Sequence, residues 1–330
     1  MINLARGVLA TLAGVVLFAS SSTANPAVWR YEWPTTDFDK TSVDFRDIIS
    51  GGPRKDGIPP IDDPKFKPVS EINHLADTEP VIGLIVNGEK KAYPLQILMW
   101  HEIVNDEIGG VPVSVTFCPL CNTTIVFDRR LDGRVLDFGT TGKLRFSDLI
   151  MYDRQTETWW QQFLGEAIIG ELTGARLDII PARVESFANF KKRAPDGLVL
   201  VPTQETARPY GSNPYDGYDS LAQPFLYRGA LPTEVAPLSR VVVLEVNGTR
   251  EAWSLDLLKE KRQVEIGNDT VINWEPGQNS ALDSAFISQG VDIGNVTVIR
   301  RTEDGPQDVP YSVDFAFAFT AFFPESPIHN

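Results

Sequence analysis

The stretch that decides the fold is VIGLIVNGEKKAYPLQIL at residues 81–98. It recurs at residues 241–258 as VVVLEVNGTREAWSLDLL, with eight of the eighteen positions identical. Each copy contains an apolar run, an Asn-Gly pair, a short run with Ala and an aromatic residue, and then the opening of a helix. Asn-Gly supplies the positive φ angles that a tight hairpin turn needs. The repeat therefore predicts two strand–turn–strand–helix units.

This repeat predicts a β-rich α+β fold of two related modules, produced by internal duplication and packed together. We place the first module at residues 54–207, the second at 225–330, and a turn-rich linker at 208–224 between them. Within the two modules, both Cys and an internal His fall in the first. The second module is therefore interpreted as a degenerate structural partner, and any chemistry is expected in the first.

The N-terminus has the pattern of an export signal. A positive charge at Arg6 precedes a short apolar run, and small residues stand at Ser22 and Ala24. Residues 1–24 are therefore predicted to be a cleaved signal peptide, followed by an N-terminal extension at 25–53; an uncleaved anchor is the alternative. No later stretch approaches about 20 uninterrupted apolar residues. We expect a protein exported to the periplasm or the extracellular space, without membrane contact after cleavage.

Composition restricts the class of function. The 330 residues include 44 Asp and Glu against 30 Lys and Arg, a net charge of −14. Nucleic-acid phosphates and anionic lipids do not attract so acidic a chain, so neither is an expected partner. Two Cys are too few for a disulfide framework or for an iron–sulfur cluster held by four thiolates. Outside the cytoplasm a close thiol pair becomes oxidised unless something such as a metal protects it.

The two cysteines form the motif Cys118-Pro-Leu-Cys121. β-branched residues predict strands at 111–117 and 123–127, so the motif is expected in the loop that joins them. In a thioredoxin-type motif the first Cys opens a helix instead, where the helix dipole lowers the thiol pKa. A Cys-Pro-x-Cys loop between strands resembles the metal-binding knuckles of rubredoxins and zinc ribbons. Asn122 stands where such knuckles usually have Gly, and Asn tolerates the same left-handed conformation.

A second Cys pair is absent, so further metal ligands have to be other residue types. His101 is the strongest candidate, because it is one of three His and the other two lie in surface-like stretches. We predict that it lies on a helix over 94–106, with a buried face formed by Leu95, Leu98, Met99 and Ile103. A His in such a setting is also commonly a core residue with satisfied hydrogen bonds, and this alternative stays open.

The segment after the cysteines supplies the other candidates. Met151 is one of three Met and stands between apolar and polar residues. Two thiolates, an imidazole and a thioether form a soft ligand set that selects copper(I), whereas Asp148 or Asp153 in place of Met151 favours zinc. Met151 is also interpretable as a core residue. A cleft is the predicted setting of Asp148, Asp153, Trp159, Trp160 and Gln161. Adjacent Trp residues also commonly pack in the core.

Several motifs occur together in the order seen in a known family. They are KDGIP at 55–59, EPVIG at 79–83, AYPL at 92–95, WHEIVND at 100–106, TFCPLC at 116–121, MYDRQT at 151–156 and WWQQ at 159–162. Over about residues 54–205 the chain resembles the exported domain-of-unknown-function 3179 family. The resemblance implies no activity, since the family name records that none is assigned. It does imply that the His, the Cys pair and the MYDRQT segment are signature residues, with Asn122 as a departure.

We interpret the chain as an exported metal-binding protein, with copper as the expected ion and zinc as the alternative. Cys118, Cys121, His101 and Met151 are the predicted ligands. Storage, delivery or redox handling of the metal is the predicted role, with a protein that exchanges metal or thiols as a partner. The second interpretation is a thiol–disulfide oxidoreductase in which Cys118 attacks and Cys121 resolves. The third is a non-enzymatic binding protein in which the pair forms a structural disulfide, so the sequence does not decide whether the protein is an enzyme.

Overall fold

The structure is a computed structural model that describes residues 26–204 and 207–330. The predicted signal peptide lies outside the described residues. Over the described ranges the chain forms twenty-four short strands and five α-helices, which is the predicted β-rich α+β class. The helices are α1 (Pro26–Glu32), α2 (Leu95–His101), α3 (Phe187–Arg193), α4 (Leu255–Lys261) and α5 (Ala316–Phe322). Within the same ranges, none of them has the length and apolar character of a membrane span.

Three sheets form the first half of the described chain, residues 26–204. Sheet I consists, in spatial order, of β15 (Arg183–Ser186), β3 (Pro80–Val86), β4 (Glu89–Pro94), β16 (Leu198–Val201) and β2 (Lys65–Pro68). Sheet II consists of β14 (Ile179–Ile180), β7 (Thr123–Asp128), β6 (Val111–Cys118) and β5 (Ile103–Ile108). Sheet III consists of β1 (Ile48–Ser50), β10 (Phe138–Arg145), β11 (Asp148–Asp153), β12 (Trp159–Gln161) and β13 (Glu166–Ile169). A small ribbon joins β8 (Arg130–Leu131) and β9 (Arg134–Val135).

Two sheets form the second half, residues 207–330. Sheet IV consists of β23 (Ser312–Phe315), β17 (Arg240–Val246), β18 (Thr249–Ser254) and β24 (Ile328–His329). Sheet V consists of β19 (Gln263–Ile266), β20 (Thr270–Glu275), β21 (Asn295–Thr302) and β22 (Gly305–Asp308). Single-turn 3₁₀-helices lie at Phe45–Asp47, Val69–Glu71, Tyr218–Ser220 and Ile287–Gln289. The largest hydrophobic cluster contains residues of both halves, so the halves share a core.

Sheets I and IV are built from elements in the same order. In each, an antiparallel hairpin (β3–β4 or β17–β18) leads into a seven-residue helix, and the hairpins pair in the same register. At the turns φ is 49° and 86° for Asn87 and Gly88, and 51° and 81° for Asn247 and Gly248. Both Asn-Gly pairs therefore make the predicted tight turns, since positive φ at both positions is what such a turn requires.

The helix that carries His101 is shorter than predicted. It ends at His101, because Glu102 takes φ +58° and reverses the chain direction. Ile103 and Val104 then pair with β6 as the first residues of β5. Their β-branched side chains favour a strand, where they pack against a neighbouring sheet surface. The predicted helix over 94–106 is therefore wrong after residue 101, and Ile103 is buried as a strand residue.

The N-terminal segment is part of the folded unit, because it packs on sheet III. Trp29 and Trp33 join Tyr152 and Trp159 in one hydrophobic cluster. The Trp33 ring centroid lies 4.7 Å from that of Tyr152 and 5.2 Å from that of Trp159, both in edge-on contact. Edge-on aromatic contacts of this kind add stabilisation to the burial of the rings.

Replacement of Trp33 by Ala tests this packing. Trp33 is fully buried, so Trp33→Ala is expected to lower the free energy of unfolding by about 3–5 kcal/mol, measured by urea denaturation. The neighbouring Tyr31 is 91% exposed, and Tyr31→Ala is the matched control, with an expected change within about 0.5 kcal/mol. Equal effects of the two substitutions would show that the N-terminal segment does not stabilise sheet III.

Candidate metal centre

Cys118 and Cys121 lie in the loop between β6 and β7, as predicted. β6 ends at Cys118, and Asn122 has φ +54°, the left-handed conformation that returns the chain into β7. Both side chains are buried, and both are free thiols. Burial raises the pKa of both thiols, and for Cys121 the neighbouring Cys118 raises it further. The loop thus holds two protonated sulfur atoms side by side in the interior.

Asp148, the first residue of β11, completes a compact group with the two thiols. One oxygen of its carboxyl and the two sulfur atoms all lie within 4.8 Å of one another. Asp148 Oδ2 accepts hydrogen bonds from Gln161 Nε2 at 2.6 Å and from the Phe163 amide at 3.0 Å. Its Oδ1 is buried and accepts no hydrogen bond from a nitrogen or hydroxyl donor among the described residues. The two neighbouring thiols are the donors that face this carboxyl group, and their hydrogen bonds lower its pKa against the effect of burial. Hydrogen bonds therefore hold Oδ2 in position, while Oδ1 is available to a ligand. We name Cys118, Cys121 and Asp148 the Cys–Asp group.

The hairpin between β10 and β11 delivers Asp148 to this place. Phe146 and Ser147 form its turn with φ of 55° and 68°, an uncommon conformation for residues other than Gly. The Ser147 carbonyl accepts a contact from Cys118 Sγ at 3.9 Å, and the Ser147 hydroxyl donates to the Phe225 carbonyl at 2.6 Å. The turn is thus fixed to the cysteine loop on one side and to the second half of the chain on the other.

Two further carboxyl groups lie close to the Cys–Asp group. Glu102 is 7% exposed, and its carbonyl accepts a hydrogen bond from the Phe117 amide at 2.8 Å. Asp314, in β23, is fully buried, and the amide of the next residue, Phe315, donates to the Cys121 carbonyl at 2.8 Å. Ser312 Oγ donates to Asp314 Oδ2 at 2.6 Å, and Thr123 is a second hydrogen-bonding neighbour that lowers the pKa of this carboxyl group. Asp314 Oδ1 has no partner within ordinary hydrogen-bond geometry among the described residues. The second half of the chain therefore contributes an acid to the site.

These three carboxyl groups have strongly raised pKa values. Burial raises the pKa of Asp148 to about 7 and that of Asp314 to about 7. Burial, together with repulsion from Asp148, raises the pKa of Glu102 to about 8. In the described parts of the chain, no Lys, Arg or His forms an ion pair with any of the three. Near neutral pH the site therefore holds protons that carboxyl groups in water have already lost.

His101 lies outside the Cys–Asp group. Its Nδ1 is 2.8 Å from the Pro59 carbonyl, which only accepts, so Nδ1 carries the hydrogen. Its Nε2 lies 2.9 Å from the Tyr210 hydroxyl and accepts from it when the ring is neutral. Burial lowers the pKa of His101, in agreement with a neutral ring. Both ring nitrogens are therefore engaged, and a metal at either would displace an existing hydrogen bond.

The remaining predicted site residues are buried in or beside sheet III. Met151 is fully buried in the main core, between Thr140 and Trp160 of the neighbouring strands. The Asp153 carboxyl accepts hydrogen bonds from the Thr156 amide at 2.7 Å and from Trp160 Nε1 at 2.9 Å. Trp159 and Trp160 are both fully buried, and they join different hydrophobic clusters. Of the predicted cleft residues, only Asp148 and Gln161 are joined to the thiols by these contacts.

Sequence reasoning missed Glu102 and Asp314 as members of the site. The helix predicted over 94–106 includes Glu102, which gives no reason to place its side chain at a site. Asp314 lies in the half that lacks Cys, in the run SVDFAFAF at residues 312–319. An acidic residue enclosed by apolar ones on both sides is a usable signal, because a buried carboxylate is rare without a partner or a function.

A protein-family model described as "Protein of unknown function (DUF3179)" matches residues 55–326. The chain belongs to this family. The match extends beyond residues 54–205, where the sequence resemblance was seen, and covers the second half of the chain as well. In this DUF3179 protein, the Cys–Asp group, Glu102 and Asp314 all lie inside the matched range. Comparisons with curated proteins and with solved structures found no match.

The buried acids predict a pH dependence of stability. A carboxyl group whose pKa is raised by folding stabilises the protein below its unfolded pKa, and this stabilisation is lost as the pH rises through the folded value. The folded pKa is about 7 for Asp148 and Asp314, against an ordinary 3.8, and about 8 for Glu102, against an ordinary 4.5. The metal-free protein is therefore expected to lose stability from pH 4 to pH 8. Each excess proton contributes a slope of at most about 1.4 kcal/mol per pH unit.

Asp314→Asn removes one of the buried carboxyl groups and so tests its share of this pH dependence. The variant is expected to show a shallower fall in the free energy of unfolding between pH 5 and pH 7, measured by urea denaturation with a chelator present. Asp39→Asn is the control, because the Asp39 side chain is 86% exposed and its removal leaves the buried acids unchanged. An unchanged slope in Asp314→Asn would contradict the assignment of a bound proton to this carboxyl group.

Proposed function

We propose that this DUF3179 protein binds a divalent transition metal, with zinc as the preferred ion, through Cys118, Cys121 and Asp148. The observation that carries the proposal is the proximity of the three ligand atoms, all within 4.8 Å of one another and all on buried side chains. Asp148 Oδ1 supports it further, because this buried oxygen has only the two weakly donating thiols beside it, and a metal ion at that point would satisfy it more fully.

The charge of the site supports a cation as that ligand. Two thiols and three carboxyl groups lie in or near one buried region, and no ion pair neutralises the carboxyl groups within the described ranges. Desolvation opposes the ionisation of each group when it is alone. A bound metal ion replaces the protons on its ligands and supplies the missing positive charge. Metal binding is therefore expected to release protons and to stabilise the folded protein.

The ligand types favour zinc over copper(I). Zinc is bound by thiolate, imidazole and carboxylate ligands, whereas copper(I) prefers soft sulfur ligands and imidazole. The Cys–Asp group includes a carboxylate, and the ring nitrogens of His101 are engaged elsewhere. A copper site in which His101 and Met151 join the two cysteines stays a prediction from the sequence. With three protein ligands, a bound zinc ion would keep one coordination position for water or another ligand, which it could polarise.

The proposed role is the storage or delivery of the metal outside the cytoplasm, with a partner protein that exchanges it. The export part of this proposal depends on the signal-like pattern at residues 1–24. The alternative roles of the Cys pair have less support. A nucleophilic Cys of a thiol–disulfide oxidoreductase is partly exposed and has a lowered pKa. Cys118 and Cys121 are buried with raised pKa values. A structural disulfide between them stays a prediction.

We also infer that the two halves descend from an internal duplication. The eight identities between residues 81–98 and 241–258 support it, as does the shared hairpin register of sheets I and IV. The residues that follow the two matched helices have similar conformations, with φ of 58° at Glu102 and 63° at Arg262. On this view the positive φ at Glu102 belongs to the framework of the module and is not a feature of the metal site.

Titration of untagged, metal-free protein with zinc tests the proposal. We expect one zinc ion per chain, measured by calorimetry and by elemental analysis. Cys118→Ser and Asp148→Asn are each expected to weaken binding by at least about tenfold, since even the loss of an outer hydrogen-bond partner of a ligand costs that much. His101→Gln is the matched control and is expected to keep wild-type zinc affinity.

Three results would contradict the proposal. The first is wild-type affinity in Cys118→Ser, and the second is the absence of stoichiometric zinc in the wild-type protein. The third is preferential binding of copper(I) that His101→Gln abolishes, which would favour the ligand set predicted from the sequence. Thermal unfolding of each variant in chelator separates lost metal binding from lost folding.

A further inference from the structure

A cavity of about 490 Å³ lies between the two halves of the chain. The first half contributes residues of β7, β14 and the segment after β12, and the second half contributes residues of β17, β18 and the chain around α5. Its volume falls within the range of small-molecule binding sites in proteins, about 300–1,000 Å³. Interfaces between structural units are also a common position for such sites.

One side of the cavity is aromatic. The rings of Phe163 and Phe322 stack, with their centroids 4.6 Å apart and an angle of 17° between their planes. The ring centroid of Phe323 lies 6.1 Å from that of Phe163. Ile125 and Ile179 are further apolar residues of the lining. An aromatic surface of this kind favours a flat or aliphatic body of a ligand over a strongly hydrated one.

The lining of the cavity also includes the cation Arg250. Its guanidinium makes no hydrogen bond among the described residues, and its nearest ion-pair partner, Glu245 Oε2, is 3.6 Å away. The Glu245 side chain is 58% exposed and the Arg250 side chain 29%. Arg176, the other cation of the lining, is 72% exposed and already pairs with Glu166 at 3.1 Å. Glu245 also lines the cavity, and Arg250 lowers the pKa of the Asp314 carboxyl, so an anion has to compete with these two acids. The guanidinium of Arg250 still has donors that no hydrogen bond uses, and guanidinium groups bind a carboxylate through two parallel hydrogen bonds.

The cavity and the Cys–Asp group share part of their walls. Phe163 lines the cavity with its ring, and its amide donates to Asp148 Oδ2 at 3.0 Å. Ser312 also lines the cavity, and its hydroxyl donates to Asp314 Oδ2 at 2.6 Å. A ligand in the cavity would therefore be separated from the Asp148 and Asp314 carboxyl groups by only Phe163 and Ser312, respectively.

We propose that this cavity binds a small organic anion with an apolar body. The carboxylate of the anion lies on Arg250, and its hydrocarbon or aromatic part lies against Phe163, Phe322 and Phe323. This proposal does not depend on a bound metal, because Arg250 and the aromatic side chains are present without one.

Three compounds with one body and different head groups test the proposal on the full-length protein. We use 4-phenylbutyrate as the anion, 4-phenylbutanol as the neutral analogue and 4-phenylbutylamine as the cation. Calorimetry and ligand-observed NMR are expected to show the acid binding at least about tenfold more tightly than the alcohol, and the amine more weakly than either. Arg250→Gln is expected to reduce the affinity for the acid to that for the alcohol.

Two further variants complete the test. Arg301→Gln is the matched control, because Arg301 pairs with Glu265 outside the cavity, and it is expected to bind the acid like wild type. Ser326→Trp places a large side chain into the cavity and is expected to abolish binding of both acid and alcohol, with folding checked by thermal unfolding. The Cys118→Ser variant is expected to bind the acid normally, which separates this proposal from that of the metal site.

Several outcomes would overturn the proposal. They are the absence of binding of the acid to the wild type, equal affinity for acid and alcohol, and undiminished binding to Arg250→Gln. Undiminished binding to folded Ser326→Trp would place the anion somewhere other than this cavity.

Discussion

The rest of the structure depends on one constraint, the free-energy cost of burying ionised thiol and carboxyl groups away from water. Cys118, Cys121 and Asp148 meet at one buried point, with Glu102 and Asp314 close by. An ionised group in such a place is destabilised by several kcal/mol unless a partner compensates it. The groups avoid this cost in one of two ways. They keep their protons, which is what their raised pKa values express, or they bind a cation. Proton binding, metal binding and folding stability are thereby coupled at a single place.

Sheets I and IV differ in how a buried carboxylate at the same strand position is compensated. In sheet I, Glu185 pairs across from Val81 and forms a buried ion pair with Arg193. In sheet IV, Asp314 pairs across from Val241, the residue that matches Val81 in the repeat, and forms no ion pair among the described residues. The framework thus provides the same strand position twice. In the first half the acid is neutralised locally, and in the second it adds to the charge around the cysteine loop. The second half, interpreted from sequence as a degenerate partner, therefore takes part in the site.

Local sequence signals predicted the elements that depend on neighbours in the chain. The Asn-Gly turns and the cysteine loop between two strands follow from backbone preferences of a few consecutive residues. The end of the helix at His101 did not follow, since Leu95, Met99 and Ile103 are four residues apart, a spacing that also fits a longer helix. Pairing of β5 with β6 decided that point, and such pairing is a long-range interaction. His101 was predicted to face the thiols, yet Pro59 and Tyr210 engage its two nitrogens.

The sequence by itself determined the β-rich class, the repeat, the position of the thiol pair in a loop and the family resemblance. These features depend on residue type and short spacing, which a linear pattern records. Only the tertiary structure decided that Asp148 joins the thiols and that Glu102 and Asp314 lie near them. Those residues come from separate hairpins and from both halves of the chain, and the carbonyl of Cys121 is bound by Phe315 across the interface of the halves. Ligand distances and desolvation depend on how distant segments pack, so no local pattern contains them.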